Sequence, residues 1–538
     1  MKQNVISASR LFSIPLLFLV AGFANVSCPK LPDLTPQPNP TGVHWLRFAQ
    51  ITDVHIVDDE SPARAVRADH LISSSWRPQE AYATQVLDAT LNVINQHHTG
   101  KLAPALPMDF VLVTGDLTDS ALHNELRWFM DTMDGKQILP DSGALDGAQR
   151  EADPLDNPKL EFQATGLAMD IPWYTAFGNH DGLVVGTFGI DRAAADPQGW
   201  TSPLFGPVAA VLGLHALTPA TNRLNPVAAQ SPAIIAGGPG PMDPVTLQLQ
   251  INQLGAGPIA SDAQRHFSSR AQFIEEHFNS TTTPAGHGLT DSNRVSGKYW
   301  YSLHPKAGAP IRVIVLDTAA PDPTPLGFPI SYGVMTREQF ESFLKPEIRA
   351  AQAAGEFVIV VSHHPSTDFN LPYPADTVST PEFRSYLSSQ ANVIAHLCGH
   401  THRHKVSAIS GFFPYYEIET GSLIDYPQEG RIFDVFYLPE SGDVRLESRM
   451  VSHMEDPTRL SAESFRRAQI DAANGKSAED AEAAEEFATL FPDPKSDFGA
   501  SYVLPASASI SPNLSAEDRY GTQGDRDFSV VLHRPGVL

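Results

Sequence analysis

The chain predicts an α/β layered domain, and three observations carry that prediction. Short apolar runs recur along the 538 residues, amphipathic helical stretches lie between several of them, and five of the runs end in Asp, Asn or His. Strands alternating with helices form a sheet whose faces the helices cover. In such sheets the residues beyond the strand ends converge on the crevice where ligands bind.

Taken in order, residues 1–28 read as an export signal. Lys2 and Arg10 precede an apolar run over 11–22 that is too short to span a bilayer, and Gly22 and Ala24 supply small residues for cleavage. The alternative is lipidation at Cys28, since Val26-Ser27-Cys28 resembles the end of a bacterial lipoprotein signal, although Asn25 departs from the aliphatic residue expected there. Either way the expectation is an exported chain, periplasmic or extracellular, with no later stretch apolar enough to cross a membrane. Residues 29–43 are a proline-rich extended spacer. Residues 44–181 open the main body with strands over 45–56, 110–116 and 171–179, and with a helix over 78–98 whose Ala81, Val86, Leu87, Leu91 and Ile94 share one face. Residues 182–297 are rich in Pro, Gly and Ala, with one helical stretch near 262–278; they read as an insertion, either a lid or a passive edge element. The body resumes over 298–451, with strands at 311–317, 357–364 and 392–400, helices at 335–354 and 381–390, and strands without helices from 412. Residues 452–538 read as a helical, then loop-rich, C-terminal extension.

Composition excludes several classes. With 37 Lys+Arg against 61 Asp+Glu, the net charge of −24 argues against a nucleic-acid surface, which needs a basic face. Two cysteines cannot supply a disulfide framework. Cys398, inside an apolar strand, is expected to be a buried small hydrophobe. Oligomeric state has no signature in the sequence.

Five strand-end clusters carry the chemistry: Asp53-Val54-His55, Gly115-Asp116, Gly178-Asn179-His180-Asp181, His363-His364-Pro365 and Gly399-His400-Thr401-His402. Imidazole and carboxylate together suit Zn, Mn and Fe. In Asp-x-His and His-x-His, an extended backbone would place both side chains on one side. Asp119 is expected either to orient a ligand histidine or to cap a turn. His364 is balanced between a role near the ligands and a structural one. His404 and the run Asp58-Asp59-Glu60 are expected to lie in exposed loops, and His266 and His277 on an exposed helix face. Arg64 and Arg67 are weaker candidates as phosphate anchors.

In order and in spelling, these blocks resemble the calcineurin-like metallophosphoesterase superfamily, whose signature runs D-x-H, GD, GNH[D/E], H and GHxH. The resemblance covers Asp53 to His402 and implies a four-layered α/β/β/α sandwich. It implies a dinuclear centre (Mn, Fe or Zn) with Asp53, His55 and His402 on the first ion, Asn179, His363 and His400 on the second, and Asp116 bridging. His363 is preferred over His364 because the family's ligand usually lies two residues before proline. The resemblance further implies that a bridging hydroxide attacks phosphorus, that His180 is the catalytic histidine, and that Asp181 orients it. Asp119 stands where purple acid phosphatases carry tyrosine, and Gly115 to Ser120 lacks the Ser/Thr-phosphatase pattern. The GDLTD, GNHD and GHTH spellings look most like the cyclic-nucleotide-phosphodiesterase-like branch. The expected substrate is therefore a small phosphoester, with a phosphodiester favoured. The alternatives are a phosphomonoester or, less favoured, a non-catalytic surface protein retaining the fold.

Overall fold

The computed structural model describes residues 42–59, 61, 77–103, 106–142, 157–184, 186, 188–189, 262, 264–319, 333–369, 376–474, 516–534 and 536–537. The expected export signal, Cys28, nearly all of the spacer, Glu60, Arg64, Arg67 and most of the expected insertion lie outside them.

Two six-stranded sheets face each other. The strands of the first are β1 (Val43–Ile51), β2 (Phe110–Val113) and β3 (Trp173–Thr175), joined later in the chain by three more. The second holds β4 (Tyr301–Leu303), β5 (Ile311–Val315), β6 (Phe357–Val361), β7 (Val393–Cys398), β8 (Lys405–Ile409) and β9 (Tyr415–Glu419). The chain then returns to the first sheet with β10 (Glu429–Leu438), β11 (Asp443–Ser452) and β12 (Phe528–Leu532). The orders are β12-β11-β10-β1-β2-β3 and β8-β9-β7-β6-β5-β4. Parallel pairing joins β1, β2 and β3 in one sheet and β5, β6, β7 and β9 in the other. The C-terminal ends of β1, β2, β3, β6 and β7 lead into the five clusters.

Strand alternation splits the core in two. Val313, Val315, Ile359 and Val361 join the large cluster shared with the first sheet, whereas Ile314, Val358 and Val360 join a second cluster with Phe340, Leu344, Ile348 and Phe383. The helices over that second face include α4 (Lys345–Ala353) and α5 (Thr380–Leu387). On the first sheet's side, α1 (Ala83–Thr99) and α2 (His123–Met133) feed Val86, Leu91, Leu126 and Phe129 into the large cluster. This is the four-layered α/β/β/α arrangement. The predicted strands form, but each ends earlier than the run of motif residues suggests, because those residues belong to the loops.

Two stretches differ from expectation. Residues 264–297 are built into the main body: α3 (Arg270–Asn279) places Phe273 and Ile274 in the core and packs on α2. His277 is accordingly fully buried, not exposed, and hydrogen-bonds Tyr299 Oη at 3.0 Å. The end of the C-terminal extension is not loose either, since β12 completes the edge of the first sheet and α6 (Arg459–Asn474) packs on α1. No helix among the described residues is long and apolar enough to cross a membrane.

Candidate metal centre

Beyond the ends of β1 and β2 the two chains continue side by side. The Asp53 amide donates to Gly115 O at 3.1 Å, that of His55 to Asp116 O at 3.0 Å, and that of Ile56 to Leu117 O at 2.9 Å. The backbone is not extended here. Asp53, His55 and Asp116 have φ of 50°, 45° and 53°, and His400 and His402 have φ of 68° and 51°. The side chains therefore converge through left-handed residues and not through strand pleat, which corrects the sequence expectation. Such conformations cost roughly 1–3 kcal/mol each in non-glycine residues and persist where the surroundings over-determine them.

The loops bring seven expected ligands and His180 around one point. Nε2 of His402 lies 3.2 Å from Asp53 Oδ1 and 3.3 Å from His55 Nε2. Nε2 of His55 is 3.6 Å from Asp116 Oδ2, and Nε2 of His363 is 3.1 Å from that same oxygen. Asn179 Oδ1 stands 3.0 Å from His363 Nε2. His400 joins through His363 and His364, the three rings each offering a nitrogen within 4.8 Å of the others. Asp53, His55 and His402 form a second such group, Asp53, Asp116 and His363 a third, and His55, Asp116 and His180 a fourth. Close packing depends on Gly178 and Gly399: a methyl on the first would overlap the Asp116 carboxylate, and on the second Thr52 Oγ1.

The electrostatics suit cations. Burial works against the charge on Asp53, but His402 and His363 outweigh it and hold the carboxyl at about 2. Asp116 is held well below its usual range, the fields of His363 and His180 overcoming burial. Burial lowers His55 to about 4, reinforced by His180, and lowers His400 to about 3, reinforced by His363. Burial also opposes charge on His363, yet Asp116 and Asp53 raise it to about 10. Ionised carboxylates and neutral imidazoles are the forms that ligate metals, and the field that charges His363 also favours a cation. These oxygen and nitrogen donors fit divalent Zn, Mn or Fe.

Partners behind the donors orient them. His55 Nδ1 meets Asp119 Oδ1 at 3.0 Å, His402 Nδ1 meets Asp425 Oδ2 at 2.6 Å, and His363 Nδ1 meets the Thr114 carbonyl at 2.8 Å. Asp119 thus orients a histidine. His364 is buried, with its Nδ1 2.9 Å from Thr318 Oγ1. The expectation that Asp181 orients His180 does not hold. Its carboxylate accepts from the amides of Asp116, Leu117, Thr118 and Gly178 at 2.8–3.0 Å, so it binds the two loops together. His180 Nδ1 instead donates to the Asp119 carbonyl at 2.6 Å. Asp58 is also not solvated: it is 1% exposed and paired with Arg265 at 2.7 Å. His404 is likewise buried, accepting from the Gly421 amide at 3.0 Å.

Asp425 escaped the sequence reading, although it too lies in the loop after an apolar strand, in Gly421-Ser422-Leu423-Ile424-Asp425. That loop is held against the site by the Leu423 and Ile424 amides, which donate to Asp53 O at 3.2 Å each.

Residues 46–221, about a third of the chain, match the family model described as calcineurin-like phosphoesterase. Over that stretch the chain is similar to the calcineurin-like phosphoesterases. The matched stretch contains Asp53, His55, Asp116, Asn179 and His180, and the fold carries His363, His400 and His402 to them from beyond it. Among solved structures, a dimetal phosphatase from Danio rerio is similar at 14% identity, covering 76% of this chain and 97% of that one with a TM-score of 0.34. No curated protein matches the chain.

Proposed function

We propose that the pocket is a dinuclear centre hydrolysing small phosphoesters, with phosphodiesters preferred. The observation that carries this reading is the convergence of donors from five loops into overlapping groups, two of which share Asp116. Asp53, His55 and His402 would hold one ion, Asn179, His363 and His400 the other, with Asp116 between them. Bound ions supply Lewis acidity and a deprotonated water for in-line displacement at phosphorus. The chain's own part is to present ionised carboxylates and imidazole nitrogens, to exclude bulk water from them, and to place a proton. A carbonyl can only accept, so His180 carries hydrogen on Nδ1, and a protonated ring can then give its Nε2 proton to the leaving oxygen. Gly186, at φ 64°, passes close over that nitrogen, where a side chain would overlap the ring.

The diester preference is supported by the GDLTD, GNHD and GHTH spellings. Turnover of bis(p-nitrophenyl) phosphate against p-nitrophenyl phosphate tests it; faster monoester cleavage reverses the order. Two metal ions per chain by elemental analysis is the expected stoichiometry, and fewer than one sinks the reading. Export is proposed on residues 1–28, and the mass of the mature N-terminus distinguishes cleavage after Ala24 from lipidation at Cys28.

A further inference from the structure

The two flanks of the pocket are backed differently. Behind His363 stands a neutral carbonyl, that of Thr114, and the nearest carboxylate to the His400 ring, Asp368, stands at 3.6 Å, beyond hydrogen-bond distance. Behind His55 and His402 stand two carboxylates, Asp119 and Asp425. One fully enclosed arginine spans both: Arg77 Nε lies 2.9 Å from Asp425 Oδ1, and its Nη1 lies 3.7 Å from Asp119 Oδ1. A second cation comes from the far end of the chain, with Arg519 Nη1 2.5 Å from Asp425 Oδ2. Gln79 Nε2 donates to Asp425 Oδ1 at 3.2 Å.

A buried carboxylate without compensation costs several kcal/mol. Arginines to one side compensate Asp425 while it still receives the imidazole. An imidazole hydrogen-bonded to a carboxylate is a more basic ligand than one bonded to a carbonyl, and removing such a partner typically costs about 10–100-fold in metal affinity. The segment carrying Arg519 also grips the chain that leaves His402: the His404 amide donates to Arg519 O at 3.0 Å, and the Val406 amide to Asp525 Oδ1 at 2.8 Å.

We propose that Asp425 is a positioning residue for His402, with Arg77 and Arg519 as its counter-ions, so that the C-terminal segment forms part of the metal pocket and sets the affinity of one flank. The inference rests on the dinuclear reading above. The test uses the full chain, stripped with chelator and titrated with Mn²⁺ by calorimetry, with circular dichroism to establish that each variant is folded. Wild type is expected to bind two ions. Asp425→Asn should weaken one of them about 10–100-fold and leave the other unchanged. Arg519→Gln should weaken the same ion by less, with Arg519→Lys recovering part of the loss. Arg519 is less deeply buried than Arg77 and Asp425, so Arg519→Gln carries the test if Asp425→Asn does not fold. Unchanged binding, or equal weakening of both ions, overturns the proposal, because a merely structural residue has no reason to discriminate between them. Wild type that takes up no Mn²⁺ overturns the dinuclear reading and this inference with it, whereas two ions in wild type and in both variants at unchanged affinity overturn only the inference.

Discussion

His55, His363 and His364 in the pocket are as deeply buried as His277 and His287, yet the two groups keep different company. His55 and His363 face Asp53, Asp116 and Asp119 at 3–4 Å, while His364 meets Thr318 Oγ1 at 2.9 Å. His287 instead lies against Trp173, with ring centroids 3.6 Å apart, and neither of its nitrogens has a hydrogen-bond partner among the described residues. His277 sits beside it, 5.5 Å between centroids, with one nitrogen on Tyr299 Oη. Burial lowers His287 to about 3 and His277 well below its usual value, the latter reinforced by His287, with no carboxylate to offset either. Burial alone therefore does not mark a ligand. What distinguishes the pocket is paired negative charge within reach of several rings, which makes a cation the favourable occupant.

The sharpest way to break this contrast is at Asp116, which serves both donor groups. Asp116→Asn should abolish hydrolysis, while His287→Asn in folded protein should leave kcat unchanged; comparable turnover by Asp116→Asn would remove the pocket's claim. His180→Ala should lower kcat by about 10²–10⁴-fold with metal content retained, measured by steady-state kinetics beside elemental analysis. Saturating metal comes next in size. At about 100 times Kd each bound ion should stabilise the fold by about 2.7 kcal/mol, seen as a higher Tm than in chelated protein. His402→Ala should lose part of that gain and His287→Asn should keep it.

The smallest effect concerns acid. His287 is held neutral in the fold but takes a proton near 6.5 once unfolded, so the unfolded chain binds more protons below that pH. Its contribution to stability is complete above about 6.5 and is lost as pH falls toward about 3. Removing the ring should shallow the decline by up to about 1.4 kcal/mol per pH unit, read from denaturant melts of wild type and His287→Asn at several pH values. An unchanged slope would mean that this ring titrates freely in the folded protein.

Much of the pocket was legible because its donors sit where apolar runs stop. Asp53, Asp116, Asn179, His363 and His400 each mark the end of such a run, and a strand end has one direction to point. The partners behind them were harder to find. Asp119 was readable as one of two roles and resolved to orienting His55. Asp425 follows a strand in the same way, but without a histidine or a Gly-Asp pair beside it nothing set it apart. Asp181, adjacent to His180, suggested a pairing that the fold does not make, because the loop amides of 116–118 offer that carboxylate more donors than one ring can. His277 and Asp58 looked exposed only because the segment carrying Phe273, Ile274 and Arg265 packs into the body where an insertion was expected.

By itself, the sequence determined the layered α/β class, the order of the strands that carry the chemistry and the candidate donors, since these follow from local apolar period and from residue type. Tertiary structure alone decided the left-handed turns that aim Asp53, His55 and His402 at one point, the union of Arg77, Asp425 and Arg519 behind them, and the edge strand Phe528–Leu532 that closes the first sheet. The physical reason is range. Periodicity acts over a few neighbours, while the compensation of a buried charge depends on which distant segments the core brings within a few ångströms.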